Sequence, residues 1–396
     1  MWLEKISLLN FKNYEELNLT FSPQINCILG ENGSGKTNLL DAIYYLSFTK
    51  SAFSSVEQQN IRHGEPFFMV KGIFEKEEQS HTVQCSLQPG QRKQVQNSKR
   101  VYEKMSEHIG RFPVVLISPD DTDLIRGASE LRRRFFDSLM SQMDAKYLED
   151  LMRYNYVLRQ RNALLKQFAE RNTYDADLLD SYSEQLLDLG HGLYQRRTDF
   201  LSGFMPHFIR HYNNLSGKKE EVTIQYSSHF SERQYREIFY KAYRKDLAVQ
   251  RTSLGIHRDD YDFQIDTYPT KRYGSQGQQK SFVIALKLAQ FDVLREEKQL
   301  KPLLLLDDIF DKLDDFRIGK LTEMVVQQSF GQLFVTDARP ERTHSIFSAI
   351  EAEKKYFTVR QGQVVETLFE SKEDQPHRNK NGQQDRKRKA DNVAEE

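Results

Sequence analysis

Gly30-Glu31-Asn32-Gly33-Ser34-Gly35-Lys36-Thr37 sets glycines, a lysine and a hydroxyl at the spacing of a phosphate-cradling loop. Glycines let successive backbone N–H groups turn inward around phosphate oxygens, and a helix starting at the loop's end adds positive partial charge. In that chemistry Lys36 reaches the β- and γ-phosphates of a nucleoside triphosphate, and the Thr37 hydroxyl takes a place on Mg²⁺. The flanks fit: Ile25-Asn26-Cys27-Ile28-Leu29 reads as a strand and Leu39-Leu40-Asp41-Ala42-Ile43 as a helix. Far down the chain, Pro302-Leu303-Leu304-Leu305-Leu306-Asp307-Asp308 reads as a buried parallel strand that delivers two carboxylates to a sheet edge. Asp307 suits a Mg²⁺ water shell, and Asp308 suits a base that orients or deprotonates the attacking water. Between them, Ser275-Gln276-Gly277-Gln278 opens directly into the apolar helix Ser281-Phe282-Val283-Ile284-Ala285-Leu286, a second helix start suited to an anion.

The order and spacing of these segments resemble the ABC-type ATPases, whose signature motif has Ser-x-Gly-Gln a few turns before the acidic strand. In that class two heads sandwich the nucleotide. The resemblance therefore implies that Ser275, Gln276, Gly277 and Gln278 of one subunit meet the γ-phosphate held by another. It also implies that Asp311 and Asp314, in Asp311-Lys312-Leu313-Asp314, belong to a loop coupling the two sites.

Further segments resemble the RecF family of recombination mediators, related to SMC heads. Leu8-Leu9-Asn10-Phe11-Lys12-Asn13-Tyr14 is similar to the family's Asn-Phe-Arg-Asn-Tyr stretch, with Lys12 where Arg is usual. Ile117-Ser118-Pro119-Asp120-Asp121, Arg132-Arg133-Arg134-Phe135-Phe136-Asp137 and Gly255-Ile256-His257-Arg258-Asp259-Asp260 match other family blocks, and the similarity runs from about Met1 to about Phe369. Two departures stand out: Lys50-Ser51-Ala52-Phe53 lacks the expected arginines, and Thr336-Asp337 occupies the place of the transporters' switch histidine. His257 suits a structural role at least as well as a nucleotide contact. The resemblance implies a cytoplasmic, ATP-dependent DNA clamp: a homodimer formed on ATP and Mg²⁺ that binds double-stranded and gapped DNA and hydrolyses slowly, as a timer. It further implies RecR as partner, RecO through it, and RecA loading as the indirect output.

These parts need elements to position them. The phosphate loop and the Ser275 segment are too far apart for one compact sheet, and the span between shows helical periodicity: Leu148, Leu151, Met152, Leu158, Leu164 and Leu165, then Leu178, Leu179, Leu186, Leu187 and Leu193 beyond a turn at Asn172-Thr173. The expected fold is α/β, an ABC-type P-loop ATPase head with an inserted α-helical arm. Residues 1–128 form the N-terminal half of the core, 129–248 the arm, 249–370 the C-terminal half, and 371–396 a disordered charged tail. The first long arm helix, about 28 residues, would span roughly 40 Å. That is too short for the long coiled coil of an SMC head.

Composition excludes some classes. The 396 residues are 38% hydrophobic and 29% charged, with no apolar run of bilayer-spanning length and no signal-peptide pattern. Two cysteines, Cys27 and Cys85, make neither a disulfide framework nor a zinc cage. Fifty-seven basic residues balance fifty-seven acidic ones, so DNA contact needs a local patch. Arg132 to Arg134, the helix with Arg153, Arg159, Arg161 and Lys166, and the stretch from Arg92-Lys93 to Lys99-Arg100 are candidates among which sequence does not choose. A transporter ATPase subunit, or another ABC-type assembly not acting on DNA, is the main alternative; a small-molecule kinase or GTPase is the second. The altered signature and large helical insertion oppose the first. The second lacks an Asn-Lys-x-Asp guanine motif.

Overall fold

The structure is a computed structural model that describes residues 1–217, 220–312, 314–326, 330–348 and 350–371. Leu313, the side chain of Asp311 and nearly all of the charged tail called at 371–396 lie outside the described residues. The chain opens with β1 (Trp2–Phe11) and β2 (Tyr14–Thr20), followed by β3 (Ile25–Leu29), the glycine loop and α1 (Lys36–Phe48). Next come β4 (Phe68–Lys76), β5 (Gln79–Leu87), β6 (Gln94–Asn97), β7 (Arg100–Val101) and β8 (Val114–Ile117). Four helices follow: α2 (Asp123–Arg126), α3 (Ser129–Met143), α4 (Ala145–Arg171) and α5 (Ala176–Ser216). Then β9 (Val222–Ser227), α6 (Tyr235–Lys241), α7 (Tyr243–Val249), β10 (Asp260–Ile265), β11 (Tyr268–Pro269), α8 (Thr270–Tyr273) and α9 (Gln276–Lys298) lead to β12 (Leu303–Leu306). The chain continues through α10 (Asp315–Val326), β13 (Leu333–Asp337), α11 (Pro340–Phe347), β14 (Lys354–Arg360) and β15 (Gln363–Glu370).

Two six-stranded sheets carry the head. One, ordered β15-β14-β3-β13-β12-β8, is parallel except for its β15 edge. Its strands β3, β12 and β13 are buried along their whole length, as a sheet covered on both faces requires. Successive side chains point to opposite faces. Cys27, Leu304 and Leu306 join the core under α9 and the arm, whereas Ile28, Leu303 and Leu305 join the core under α1 and the other sheet. That second sheet is antiparallel, ordered β2-β1-β4-β5-β6-β7. A bulge between Leu3 and Lys5 of β1 adds the residue that brings Leu3 onto the same buried face as Ile6 and Leu8.

The 129–248 span is mostly helix. Asp144 caps α4 by accepting from the Lys146 N–H at 2.7 Å, Asn172 ends α4 in the left-handed region, and Asp175 caps α5. The span is also tied into the head. Arg210 and His211 of α5 each meet Asp292 of α9 at 2.5 Å, and β9 pairs antiparallel with β10, which lies beyond residue 248. Among the described residues, no helix is long and apolar enough to cross a membrane.

His108 lies fully buried beside Tyr102 and Phe112, its Nε2 2.7 Å from the Leu46 carbonyl oxygen of α1, and burial pushes its pKa down to about 4. The unfolded chain takes up this proton near pH 6.5 and the folded chain only near 4, so stability is present above 6.5 and drains as pH falls toward 4. Urea unfolding across that window is expected to show a steep loss, which His108→Gln makes shallower. Parallel curves for the two proteins would contradict this account.

Candidate functional site

The phosphate loop links β3 to α1, as its flanks predict. Gly30 (φ 153°) and Gly35 (φ 118°) occupy backbone regions that side chains disfavour, and both are tightly enclosed. A Cβ on Gly30 would lie 2.3 Å from the Val359 carbonyl oxygen, and one on Gly35 would lie 2.4 Å from Asn13 Nδ2. Gly33 faces open space on its Cβ side. The Lys36 ammonium donates to the carbonyls of Gly30 (2.8 Å) and Glu31 (3.0 Å). From below, Ser34 O accepts from Asn13 Nδ2 (3.2 Å) and from the Gly362 N–H (2.9 Å), and the Tyr14 hydroxyl donates to Gly35 O (3.0 Å). Asn38 Nδ2 in turn donates to Asn13 Oδ1 at 2.7 Å. Lys12 pairs with buried Asp41 on α1 at 2.5 Å, and Asp41 also accepts from Ser51 Oγ and the Ala52 N–H. The arginine-free loop at Lys50–Phe53 is thus anchored to the helix that bears Lys36.

Parallel pairing of β12 with β13, and of β13 with β3, brings residues 37 and 307 together. Thr37 Oγ1 donates to both Asp307 oxygens, at 3.0 and 3.1 Å. Thr336 Oγ1, where a switch histidine was absent, donates to Asp307 at 2.8 Å and accepts from the Asp308 N–H at 2.9 Å. Burial raises the Asp307 pKa above the usual carboxylate range. Asp308 sits at φ 43°, a left-handed conformation that non-glycine residues hold chiefly where structure enforces it. Among the described residues no group of three or more His, Cys, Asp or Glu could hold a metal alone. A Mg²⁺ here would draw on Thr37, on Asp307 and on nucleotide and water oxygens, which is how this ion is commonly held beside phosphates. The residues fit MgATP.

Ser275 N-caps α9. Its hydroxyl accepts from the Gln278 N–H (3.2 Å), while Gln278 Oε1 accepts from the Ser275 N–H (2.6 Å), a reciprocal capping box. Ser275 and Gln276 are exposed. Gln278 Nε2 donates to Glu220 at 2.9 Å, and Gly277 lies beside the Arg317 guanidinium, which reaches Ser281 Oγ at 2.7 Å and pairs with Asp314. Among the described residues, these hydrogen-bond partners of the segment lie outside the phosphate loop. The fold therefore brings Lys36, Thr37, Asp307 and Asp308 to one site and leaves Ser275 to Gln278 at another.

Of the basic candidates, several serve the fold. Arg132 holds Asp260 through two bonds of 2.7 and 2.9 Å, and fully buried Arg161 holds Asp246, Thr252 and Ser183. Lys93 pairs with Glu57, Arg100 with Glu107 and Arg134 with Glu130. Arg153, Arg159 and Lys166 are exposed on α4. His257 is half-buried, with Nδ1 2.8 Å from the Tyr154 hydroxyl, and its desolvation lowers its pKa to about 4. Sequence reasoning missed Arg197. It bonds Asp137 at 2.9 and 3.0 Å, Asp259 at 3.2 Å, the Tyr147 hydroxyl and the Ile256 carbonyl. It named Thr336 only as standing where a histidine would be, and it missed Arg317, since nothing local marks a contact between distant elements.

Residues 2–363 match the RecF/RecN/SMC N terminal domain family. The chain is 47% identical to the DNA replication and repair protein RecF of Flavobacterium johnsoniae, over 91% of this chain and all of that protein. It is also 47% identical to RecF of Cytophaga hutchinsonii, over 93% of this chain and 97% of the other. The solved structure of the recombination mediator protein RecF-ATPrS in the RecFOR pathway superposes with a TM-score of 0.83 at 28% identity, covering 93% of this chain and 98% of that one. An Smc head domain derived from Pyrococcus furiosus, at TM-score 0.54 and 17% identity over 94% of this chain and 97% of that one, shares the fold alone. With the ABC-type head fold and these relatives, the chain belongs to the RecF family.

Proposed function

We propose that this protein is an ATP-switched clamp on DNA, acting in recombinational repair and replication-fork maintenance. The carrying observation is the separation of two phosphate-suited helix starts: Lys36 and Thr37 open α1 beside Asp307, and the exposed Ser275 opens α9 with its own distinct set of partners. A second copy supplies the missing half of each. ATP binds at Gly30 to Thr37 of one subunit, and Ser275 and Gly277 of the other close over the γ-phosphate. Binding energy that exists only in the closed dimer shifts the monomer–dimer equilibrium. Thr37 directly, and Asp307 through the water shell, would hold Mg²⁺, which would neutralise charge on the phosphates. Asp308 orients the attacking water and accepts its proton. Asp311 and Asp314 lie on the loop that couples the two sites. Closure shapes a groove for duplex DNA next to a single-strand gap, and hydrolysis, slow and DNA-stimulated, reopens it. RecR, with RecO through it, is the partner recruited, and RecA loading the indirect result. RecF relatives and the RecFOR context of a solved homologue support this reading.

Sedimentation with a gapped duplex, with and without MgATP, tests it. Wild type is expected to dimerise on MgATP and to gain DNA affinity as it does. Ser275→Arg should stay monomeric with nucleotide bound. Asp308→Asn should keep the dimer while hydrolysis falls by about 10²-fold or more, the range of a lost general base. A protein that stays monomeric on MgATP, or binds DNA equally in all three forms, would exclude the clamp.

A further inference from the structure

A phosphate loop grips phosphates and leaves the base outside. Among the described residues, none of the exposed aromatic side chains lies on residues 10–48, which build this loop; Tyr14 and Tyr45 are fully buried. Immediately before Ser275 the situation is reversed. Tyr273 is 66% exposed and Tyr268 59% exposed, and their rings lie 5.4 Å apart, centre to centre. Two large apolar rings open to water at one spot need a use.

The segment that carries them is held firmly. Buried Gln279 donates to the carbonyls of both Thr270 (3.2 Å) and Gly274 (3.0 Å), and accepts from Arg126 Nε (2.9 Å). The Gly274 N–H closes α8 on Thr270 O at 3.0 Å. Exposed Lys271 and Arg272 flank the rings with positive charge. A pre-positioned aromatic face with cations beside it, two residues from a helix start suited to phosphate, has the chemistry to take a nucleobase and its polyphosphate together.

We propose that Tyr273, backed by Tyr268, stacks on the adenine of the ATP held by a second copy of this chain, so that the base is read across the dimer. This rests on the sandwich reading of Ser275. It makes Tyr273 a positioning contact for nucleotide in the dimer and gives no role to Tyr273 in the monomer. Base–aromatic stacking is strong enough that Tyr273→Ala should raise the MgATP concentration for half-maximal dimerisation by about tenfold. Tyr273→Phe, which keeps the π face, should leave it unchanged.

The test is sedimentation of the full chain titrated with MgATP or with Mg²⁺-tripolyphosphate, which has no base. Nucleotide affinity of the monomer is measured in the Ser275→Arg background, and thermal melts confirm folding. A tenfold shift with ATP, no difference between Tyr273→Ala and wild type with tripolyphosphate, and equal ATP affinity with or without Tyr273→Ala in the Ser275→Arg monomer would establish the contact. If wild type dimerises and Tyr273→Ala titrates identically, the base contact is overturned and the sandwich stands. Weakened ATP binding by the monomer places the ring beside its own subunit's nucleotide and also overturns it. So does an unchanged ATP titration with lost DNA affinity, which assigns the rings to DNA. Failure of wild type to dimerise removes the sandwich itself, and the base contact with it.

Discussion

Lys36→Ala is expected to abolish ATP-driven dimerisation and to weaken ATP binding by about 10²-fold. The Lys36 ammonium is buried, and among the described residues it donates to the loop carbonyls Gly30 O and Glu31 O. Carbonyl groups are weaker partners for a cation than phosphate oxygens, so arriving triphosphate takes the ammonium over. Hydrogen bonds to charged groups contribute about 1.5–3 kcal/mol each, and losing one corresponds to about 10–10²-fold in affinity. On the proposed sandwich, dimerisation suffers more than binding, because the nucleotide would form the interface and its γ-phosphate would have to sit where Ser275 of the second copy can reach it. Titration of fluorescent ATP gives the first quantity and sedimentation the second. Retention of wild-type dimerisation by Lys36→Ala, at the same ATP concentration and with an unchanged melt, would remove Lys36 from the phosphate site.

The second large effect concerns stability. Arg197→Met is expected to destabilise the protein by about 3–5 kcal/mol, the usual cost of breaking a buried ion pair by removing one partner. A single guanidinium on α5, 1% exposed, bonds Asp137 of α3, the Tyr147 hydroxyl of α4, Asp259 and the Ile256 carbonyl. Its loss leaves Asp259 as a buried carboxylate that still accepts from the Tyr226 hydroxyl but has lost its guanidinium partner. Domains are commonly stable by about 5–15 kcal/mol, so the variant would be close to unfolding. The pH dependence has a definite sign. Burial already raises the Asp259 pKa, and without Arg197 it rises further. A carboxyl raised in the folded state contributes stability that is present at low pH and lost as pH rises through its folded pKa. The deficit of Arg197→Met should therefore shrink between pH 7 and pH 5, measured by urea unfolding at both. A loss under about 1 kcal/mol, the range of an exposed pair, would mean the network is not structural.

Much of the proposed nucleotide half-site was legible because its constraints are local. Glycines at 30, 33 and 35 are required by backbone shape within eight residues, and the flanking strand and helix each announce themselves by apolar pattern. Asp307 and Asp308 were legible for the same reason, at the end of a short apolar run. The capping box at Ser275 and Gln278 spans only three residues and is visible in the same way.

The basic residues show the opposite. Arg132, Arg153, Arg159 and Arg161 look alike in sequence, yet two of them are buried on carboxylates and two are exposed. Charge is a property of the side chain, whereas pairing depends on which distant carboxylate the fold brings near: Asp260 lies 128 residues from Arg132, and Asp246 lies 85 from Arg161. Thr336 reads as an ordinary strand residue until parallel pairing of β12 and β13 sets it between Asp307 and the Asp308 N–H. By itself the sequence determined the phosphate loop, the acidic strand end, the capped helix and the α/β alternation, each set by backbone preference or hydrophobic period over a few residues. Only the tertiary structure decided which charges are spent inside the fold, that Arg197 joins the arm to the head, and that Ser275 and Lys36 open separate sites. Those outcomes depend on burial and on contacts between residues far apart in the chain, which no local pattern encodes.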